Sequence, residues 1–454
     1  MSEQAALRRR IRALAVPIML AALISVLVQL VVVALLGRLS DQALYVRSLY
    51  LPVAFLILAL QEGLDVSTQV AVAVGHGRRD RAGVGPLAGS FVRLGVCVFG
   101  VACVAITLAA PTLAGLLAAG PADRAVFVAF VRWSSVAALT TVGPTVLAAA
   151  LRGWGRAAAA AAVSTSVAVT QVGMVALLGF GTGLGVFSVP VATVAGAAVG
   201  LVVGALGWRR HGLPRIDVLA RRAAAARTLL AVGAPVATSY LLLFGANLGL
   251  LWILGPFGPA VVSGFSTAYT VQTVLIVPAI ALGSATAIVM NQLRGRQQDA
   301  VLPMVFRAGI RLALVGYLVV ATAAWLGRGW LAGAVTGSTV ISDQVQRYLG
   351  IVLPTIALMG LVLVAVTVLE QLDAGLAAVL LNCGYFGAVL VIGGLLARQQ
   401  HDFVALYWTV AITNLVGAPV AVPVAATLIR RRVRRPTVRV AEPMIPVTAT
   451  EGPT

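Results

Sequence analysis

The chain has 454 residues, of which 60% are apolar and only 10% charged, where a soluble domain carries about 25% charged residues. All 33 basic residues are Arg, which excludes a P-loop and its essential Lys, so the chain is not on its own an ATP-driven pump. The net charge of +19 does not read as nucleic-acid binding, because the Arg residues fall between long apolar runs.

The first run, Leu14–Leu36, carries only Ser25 and Gln29 as polar residues. About 20 such residues cross the ~30 Å hydrocarbon core of a bilayer, and a chain in lipid must pair its backbone internally, as helices or a closed barrel. A barrel would alternate in segments of about 10 residues, and these runs do not. The expected fold is therefore all-α and integral to the membrane. Arg8, Arg9, Arg10 and Arg12 precede a run too long for the core of a cleavable signal, and no small-residue cleavage site follows, so this run reads as the first membrane helix. Further spans are expected at roughly 46–74, 87–110, 125–150, 157–179, 185–207, 228–254, 261–292, 303–326, 345–369, 375–396 and 403–429, about twelve in all. The basic stretch 208–227, with Pro214, reads as a connector between a lobe at 1–207 and a lobe at 228–430. The tail 431–454, rich in Pro, Thr and Val, is expected to be disordered. Cys97, Cys103 and Cys383 are far apart, as are His76, His211 and His401, and support neither a disulfide framework nor a metal site.

Placing the N-terminus inside puts about four times as many Arg residues on the inner side as on the outer, which by the positive-inside rule makes both termini and the connector cytoplasmic. The Arg-only, Ala- and Gly-rich composition suggests a bacterial source, hence a bacterial plasma membrane.

Shifting the chain by 218 residues aligns the two halves without a gap from Arg9 to Leu94. Pro17 meets Pro235, Leu36 and Gly37 meet Leu254 and Gly255, Thr68 meets Thr286, Gly77 and Arg78 meet Gly295 and Arg296, and Gln29 meets Asn247, an amide for an amide. Two strings rich in Leu, Ala and Val share letters by chance, but not these Pro, Gly, Thr and Arg positions. A six-plus-six repeat keeps the same orientation in both halves, so the lobes are related by an axis along the membrane normal, with a cavity between them and access alternating as they rock.

Acids in mid-membrane are costly, about 2.5–3.5 kcal/mol at a helix centre by insertion scales. Glu62 and Asp65 lie well inside the second span, and with Gln69 they fall at i, i+3 and i+7 on one helix face. Such a stripe should face the space between the lobes, and two carboxylates that close favour a shared or exchangeable proton. The plainer alternative is structural pairing with an Arg or a backbone donor. Gln29 and Asn247 are expected to face each other across the repeat axis, either to hold helices together or to bind substrate. Tyr240, Phe244, Trp252, Phe265 and Tyr269 add aromatic surface to spans seven and eight, mostly as packing, with some as candidates to line a cavity. Arg93 and Arg311 are expected to snorkel, and Arg132 and Arg347, followed by Trp133 and Tyr348, to anchor the outer interface. Glu370 and Asp373 are expected to be solvated at the inner end of the tenth span.

The stretch Gly63–Gly77, GLDVSTQVAVAVGHG followed by RRDRA, resembles the second-helix signature of the MATE (multidrug and toxic compound extrusion) family within the MOP flippase superfamily. ALGSATAIVMNQLRG at Ala281–Gly295 echoes it in the second half. Pro17 in LAVP, the LLGRL ending of the first helix and LRGWGRAAA at Leu151–Ala159 are similar to further family features. The resemblance implies a secondary exporter of organic, often cationic or amphipathic molecules, driven by H⁺ or Na⁺. It implies a small-molecule partner, no resident cofactor, no nucleic acid, no enzymatic activity and a monomer in the bilayer. Many members carry an Asp where this chain has Gln29, a Gly at Ser67 and a small residue at Asp65. Glu62 and Asp65 are therefore the candidates for ion coupling, and Gln29, Gln69, Asn247, Tyr240, Phe244 and Tyr269 for the substrate cavity. Other readings are a flippase for lipid-linked saccharides or lipids, and a transport-inactive relative. A membrane enzyme has neither an Asp-rich metal motif nor a His cluster in its favour.

Overall fold

The computed structural model describes residues 3–117, 120–336 and 338–434. Twelve of its helices are long and apolar enough to cross a membrane: α1 (Gln4–Leu39), α2 (Leu51–Gly77), α3 (Arg81–Leu116), α4 (Asp123–Gly153), α5 (Ala157–Gly181), α6 (Gly185–Arg210), α7 (Ala223–Phe257), α8 (Pro259–Gly295), α9 (Asp299–Leu326), α10 (Thr339–Gln371), α11 (Gly375–Gln400) and α12 (Val404–Arg434). Their outer surfaces show Leu and Val in quantity, Leu108 at 74% and Leu177 at 65% exposure among them. In a water-soluble monomer so much exposed apolar surface would be anomalous; here it is the face turned to lipid. Helix α2 is the least apolar of the twelve, with a mean hydropathy of 1.4, because it carries Glu62, Asp65 and Gln69.

The connector is shorter than the sequence suggested, since α6 runs to Arg210 and α7 starts at Ala223. Helix α12 continues through Arg434, and the remainder of the expected tail lies outside the described residues. The connector is fastened to the first lobe: Ser90 Oγ donates to Ala220 O (3.0 Å), Trp208 Nε1 to Pro214 O (2.7 Å), and the Arg81 guanidinium to Gly212 O (2.6 Å).

The repeat is visible in the backbone. Four interhelical turns place one residue in the left-handed region: Arg79 (φ 61°), Gly155 (φ 85°), Gln297 (φ 59°) and Asp373 (φ 57°). Arg79 and Gln297 are related by the shift of 218, as are Gly155 and Asp373, so the equivalence extends past Leu94, where the sequence alignment stopped. Helices α1–α6 form one lobe and α7–α12 the other, with α1 and α7 crossing between them. Ile11, Leu14 and Ile18 of α1 pack into the core of the second lobe, whereas Val28, Val32 and Leu36 pack into that of the first. Helix α7 does the reverse, with Ala225 in the core of the first lobe and Leu250, Ile253 and Leu254 in that of the second.

Helices α2 and α8 meet at their last residues. A Cβ on Gly77 would lie 2.8 Å from Gly295 Cα, and a Cβ on Gly295 would lie 2.8 Å from Gly77 Cα. Deeper in the membrane a Cβ on Gly63 would lie 2.6 Å from Gly233 O of α7. Only residues without side chains allow backbones this close. Because α2 and α8 end together, the lobes have parallel topology, as the repeat requires. The face where they meet also carries Arg78, Arg152, Arg156, Arg294 and Arg296, and is called the Arg-rich face below.

Candidate functional site

Helix α2 directs its polar stripe at the other lobe. Near the Arg-rich face Gln69, 1% exposed, donates from Nε2 to Ser284 Oγ of α8 and to Gln371 Oε1 of α10, both at 2.9 Å. Gln69 is thus part of the seal between the lobes. Asn291 Nδ2 donates to Gln371 O (2.9 Å), extending the same network within the second lobe.

One and two turns further from that face stand the acids. Asp65 pairs with Arg152 of α4, each side chain 17% exposed. Both the structural and the functional readings of Asp65 thus have a partner to work with: the carboxylate is neutralised within its own lobe but keeps contact with open space. Glu62 lies within reach of the Tyr240 hydroxyl of α7 and close to Asp65 and Arg152. Next to Tyr240, the Ser239 hydroxyl lies within reach of Glu370 of α10 and accepts from Asn382 Nδ2 of α11 at 3.0 Å. Glu370 is near enough to Glu62 for the two charges to repel.

This corrects the expectation for Glu370, which is 9% exposed rather than solvated. Its neighbour Asp373 does lie at the helix end, bridging Arg294 (2.8 Å) and Arg432 (2.9 Å). Three carboxylates and one guanidinium, drawn from both lobes, therefore gather between the lobes, with Tyr240 beside Glu62 and Ser239, itself bonded by Asn382, beside Glu370. Carboxylates placed together away from bulk water favour a bound proton or cation.

The remaining candidates fall in different places. Phe244 stacks on Phe55 of α2 across the lobe boundary, centroids 4.2 Å apart. Asn247 lies within reach of the Tyr269 hydroxyl, inside the second lobe. Gln29 is exposed. Phe265 is 1% exposed within a cluster of Tyr348, Tyr407 and Tyr269, and is packing. Tyr348, expected beside an interface anchor, belongs to that core and donates to Gln272 Oε1. Trp252 is exposed beneath Arg398, 4.4 Å from ring centroid to guanidinium carbon. Arg93 reaches Leu219 O of the connector, and Arg311 is exposed.

Two parallel six-helix lobes that meet at a charged centre define a two-lobe membrane transporter. The MatE family profile matches residues 17–177 and 235–395, one segment in each lobe and in the same register of 218 residues. The chain belongs to the MatE family, a multi-pass membrane transporter of the multidrug-extrusion type, and family and fold point to transport rather than catalysis. Among solved structures, it is similar to the Vibrio cholerae MATE transporter VcmN in its bent form, at 18% identity over 95% of this chain and 98% of that one, TM-score 0.87. It is similar to a MATE transporter in the straight conformation at 20% identity, 94% and 96% coverage and TM-score 0.87. A MOP superfamily transporter from Pyrococcus furiosus is also similar, at 21% identity, 93% and 96% coverage and TM-score 0.86; its binding pocket is described as having reverse polarity, suggesting a different function. No curated protein matches the chain in sequence.

Proposed function

We propose that this protein is a proton-coupled antiporter that exports organic cations, with Glu62, Asp65 and Glu370 as the shared site for proton and substrate. The observation that carries this reading is the gathering of three carboxylates between the lobes, with Asp65 and Glu62 beside Arg152 and Glu370 beside Glu62 with no guanidinium of its own among the described residues. With all acids ionised the cluster is negative beyond what Arg152 can offset. A proton or a monovalent cation each relieves that charge, so the two compete, and competition for one site is what exchange requires. The same acids disfavour a phosphate-bearing cargo at this site, in contrast to the lipid-linked saccharide reading.

The Arg-rich face is taken as cytoplasmic by the positive-inside rule, which puts both termini inside a bacterial plasma membrane. The polar contacts of Gln69, Gln292 and Arg10 between the lobes lie toward that face, so this arrangement is closed to the cytoplasm. Protons arriving from outside would neutralise Glu62 and Glu370 and release the cation outward. Efflux of a cationic dye from proteoliposomes under separately imposed proton and sodium gradients tests this. A response to the proton gradient alone is expected, and a response to sodium alone would overturn proton coupling.

A further inference from the structure

A second polar site lies between the lobes at the Arg-rich face, and its chemistry is opposite to that of the acidic centre. A cavity of about 320 Å³ is lined by Arg10, His76, Trp154, Arg156 and Gln292, with Ala13, Leu14 and Gly155 completing the wall. It has room for several waters or a small ion, since one water occupies about 30 Å³ of liquid. No carboxylate lines it. Arg10, Arg156 and Arg296 all lie close enough to His76 for their charges to act on it, and Arg296 acts likewise on Arg10. Among the described residues Arg156 and Arg296 make no ion pair, and the Arg10 guanidinium is held by Gln292 alone. The Nδ1 atom of His76 is buried without a hydrogen-bond partner, although the ring is fixed edge-on against Trp154, centroids 4.5 Å apart.

Like charges gather around this cavity, a buried ring nitrogen is open beside them, and no carboxylate among the described residues balances them. We infer that this cavity binds a phosphate group, using the Arg10 and Arg156 guanidiniums that line it as donors, with Arg296, just outside the lining, adding its charge. Planar guanidiniums match phosphate oxygens in pairs, and a doubly charged anion can face several at once. Arg10 and Arg156 belong to the first lobe and Arg296 and Gln292 to the second. Gln292 already joins them, accepting from Arg10 and donating to Gly153 O at 3.0 Å. A bound phosphate would therefore tie the lobes together where they touch and favour the arrangement closed at this face. The group could belong to an anionic lipid headgroup or to a soluble phosphate, because the cavity opens among helix ends where both are present.

The test uses the full chain in detergent at constant ionic strength, titrated with inorganic phosphate against chloride, and with phosphatidylglycerol against phosphatidylcholine in mixed micelles. Thermal midpoint and native mass spectrometry are read. A saturable rise in midpoint is expected with phosphate, phosphatidylglycerol or both; phosphatidylglycerol alone assigns the site to lipid, and phosphate alone to a soluble anion. The Arg156→Gln, Arg296→Gln double variant should weaken the response at least tenfold, and Arg156→Lys should fall between it and the wild type. Arg93→Gln, on the same face but outside the cavity, should respond as wild type. Absence of a saturable response to either probe, or an equal response from the double variant and Arg93→Gln, would overturn the site. Neither readout depends on efflux, so the outcome is separate from that of the coupling experiment.

Discussion

Arg152 and Glu370 occupy the same position in the two repeats, 218 residues apart, and carry opposite charges. Each lies in the last turn of its helix, before a turn whose left-handed residue is Gly155 in one lobe and Asp373 in the other. Arg152 is committed to Asp65 in its own lobe, while Glu370 pairs with no Arg among the described residues and faces Glu62. The N-terminal lobe thus neutralises one of its own acids and leaves Glu62 opposed to the acid of the other lobe.

If this opposed pair carries the proton, Glu62→Gln and Glu370→Gln should each slow gradient-driven dye efflux on the order of tenfold or more, because coupling needs a group that distinguishes the states. Insertion and thermal midpoint should hold, since Gln keeps the shape and can still meet Tyr240 or Ser239. Asp65→Asn should weaken efflux and shift its pH dependence. Wild-type rate and pH profile in the triple variant would make the acids structural.

The Arg152–Asp65 pair leads to a stability prediction. Removing one partner of a buried pair strands the other charge, at a cost of about 3 kcal/mol or more where burial is complete. Some exposure remains at both side chains, so Arg152→Ala should cost less than that, and Asp65→Asn in the same chain should recover much of the loss. A thermal-melt double-mutant cycle in detergent measures it; additive effects would show that the two side chains do not interact.

Close approach of backbones predicts a steric effect. Gly63→Ala would press a methyl against Gly233 O of the other lobe, and overpacking of this kind costs about 1–3 kcal/mol. Gly245→Ala in α7, where a Cβ meets nothing within 4 Å, should be neutral. Equal melting of the two variants would refute the close contact.

Asp373 lies outside the spans and has a predictable pH dependence. Burial alone would raise its carboxyl, but Arg294 and Arg432 outweigh that and hold it below the ordinary carboxylate value. A group depressed in the folded state contributes stability above its unfolded pKa of about 3.9, and that contribution is lost as pH falls through the lower folded value. Asp373→Asn, which tolerates the left-handed backbone, should therefore melt below wild type at neutral pH. The gap should close as pH drops below the carboxylate range. A gap constant with pH would mean that the bridges contribute nothing.

The sequence read the repeat well because Pro, Gly and turn positions are fixed by backbone geometry. Gly77 and Gly295 align because each must be bare where the helices meet. Glu62 and Asp65 were legible for a related reason: charge deep in an apolar run must face protein. Glu370 was not, because VLEQLDAG ends a span, and the local pattern cannot tell a helix end in water from one covered by α7 and α11. The signal lay in the repeat itself, since the shift that aligns Gly77 with Gly295 also sets Glu370 on Arg152 at a lobe-facing position. Tyr348 is misplaced in the same way, as an aromatic beside an Arg near a span end reads alike whether it anchors an interface or fills a core.

Gly77 rests on Gly295 and Gly295 on Gly77. A residue that touches its own counterpart makes the isologous contact of a two-fold dimer, so two separate six-helix chains inserted in the same orientation could have met at this glycine. In such a dimer any change is made twice, and a carboxylate gained at the position of Arg152 would remove the guanidinium from both subunits at once. Joining the copies into one gene lifts that restriction. Arg152 and Glu370 then become separate heritable characters, and an asymmetric charge at the centre, which no homodimer can hold, becomes open to selection.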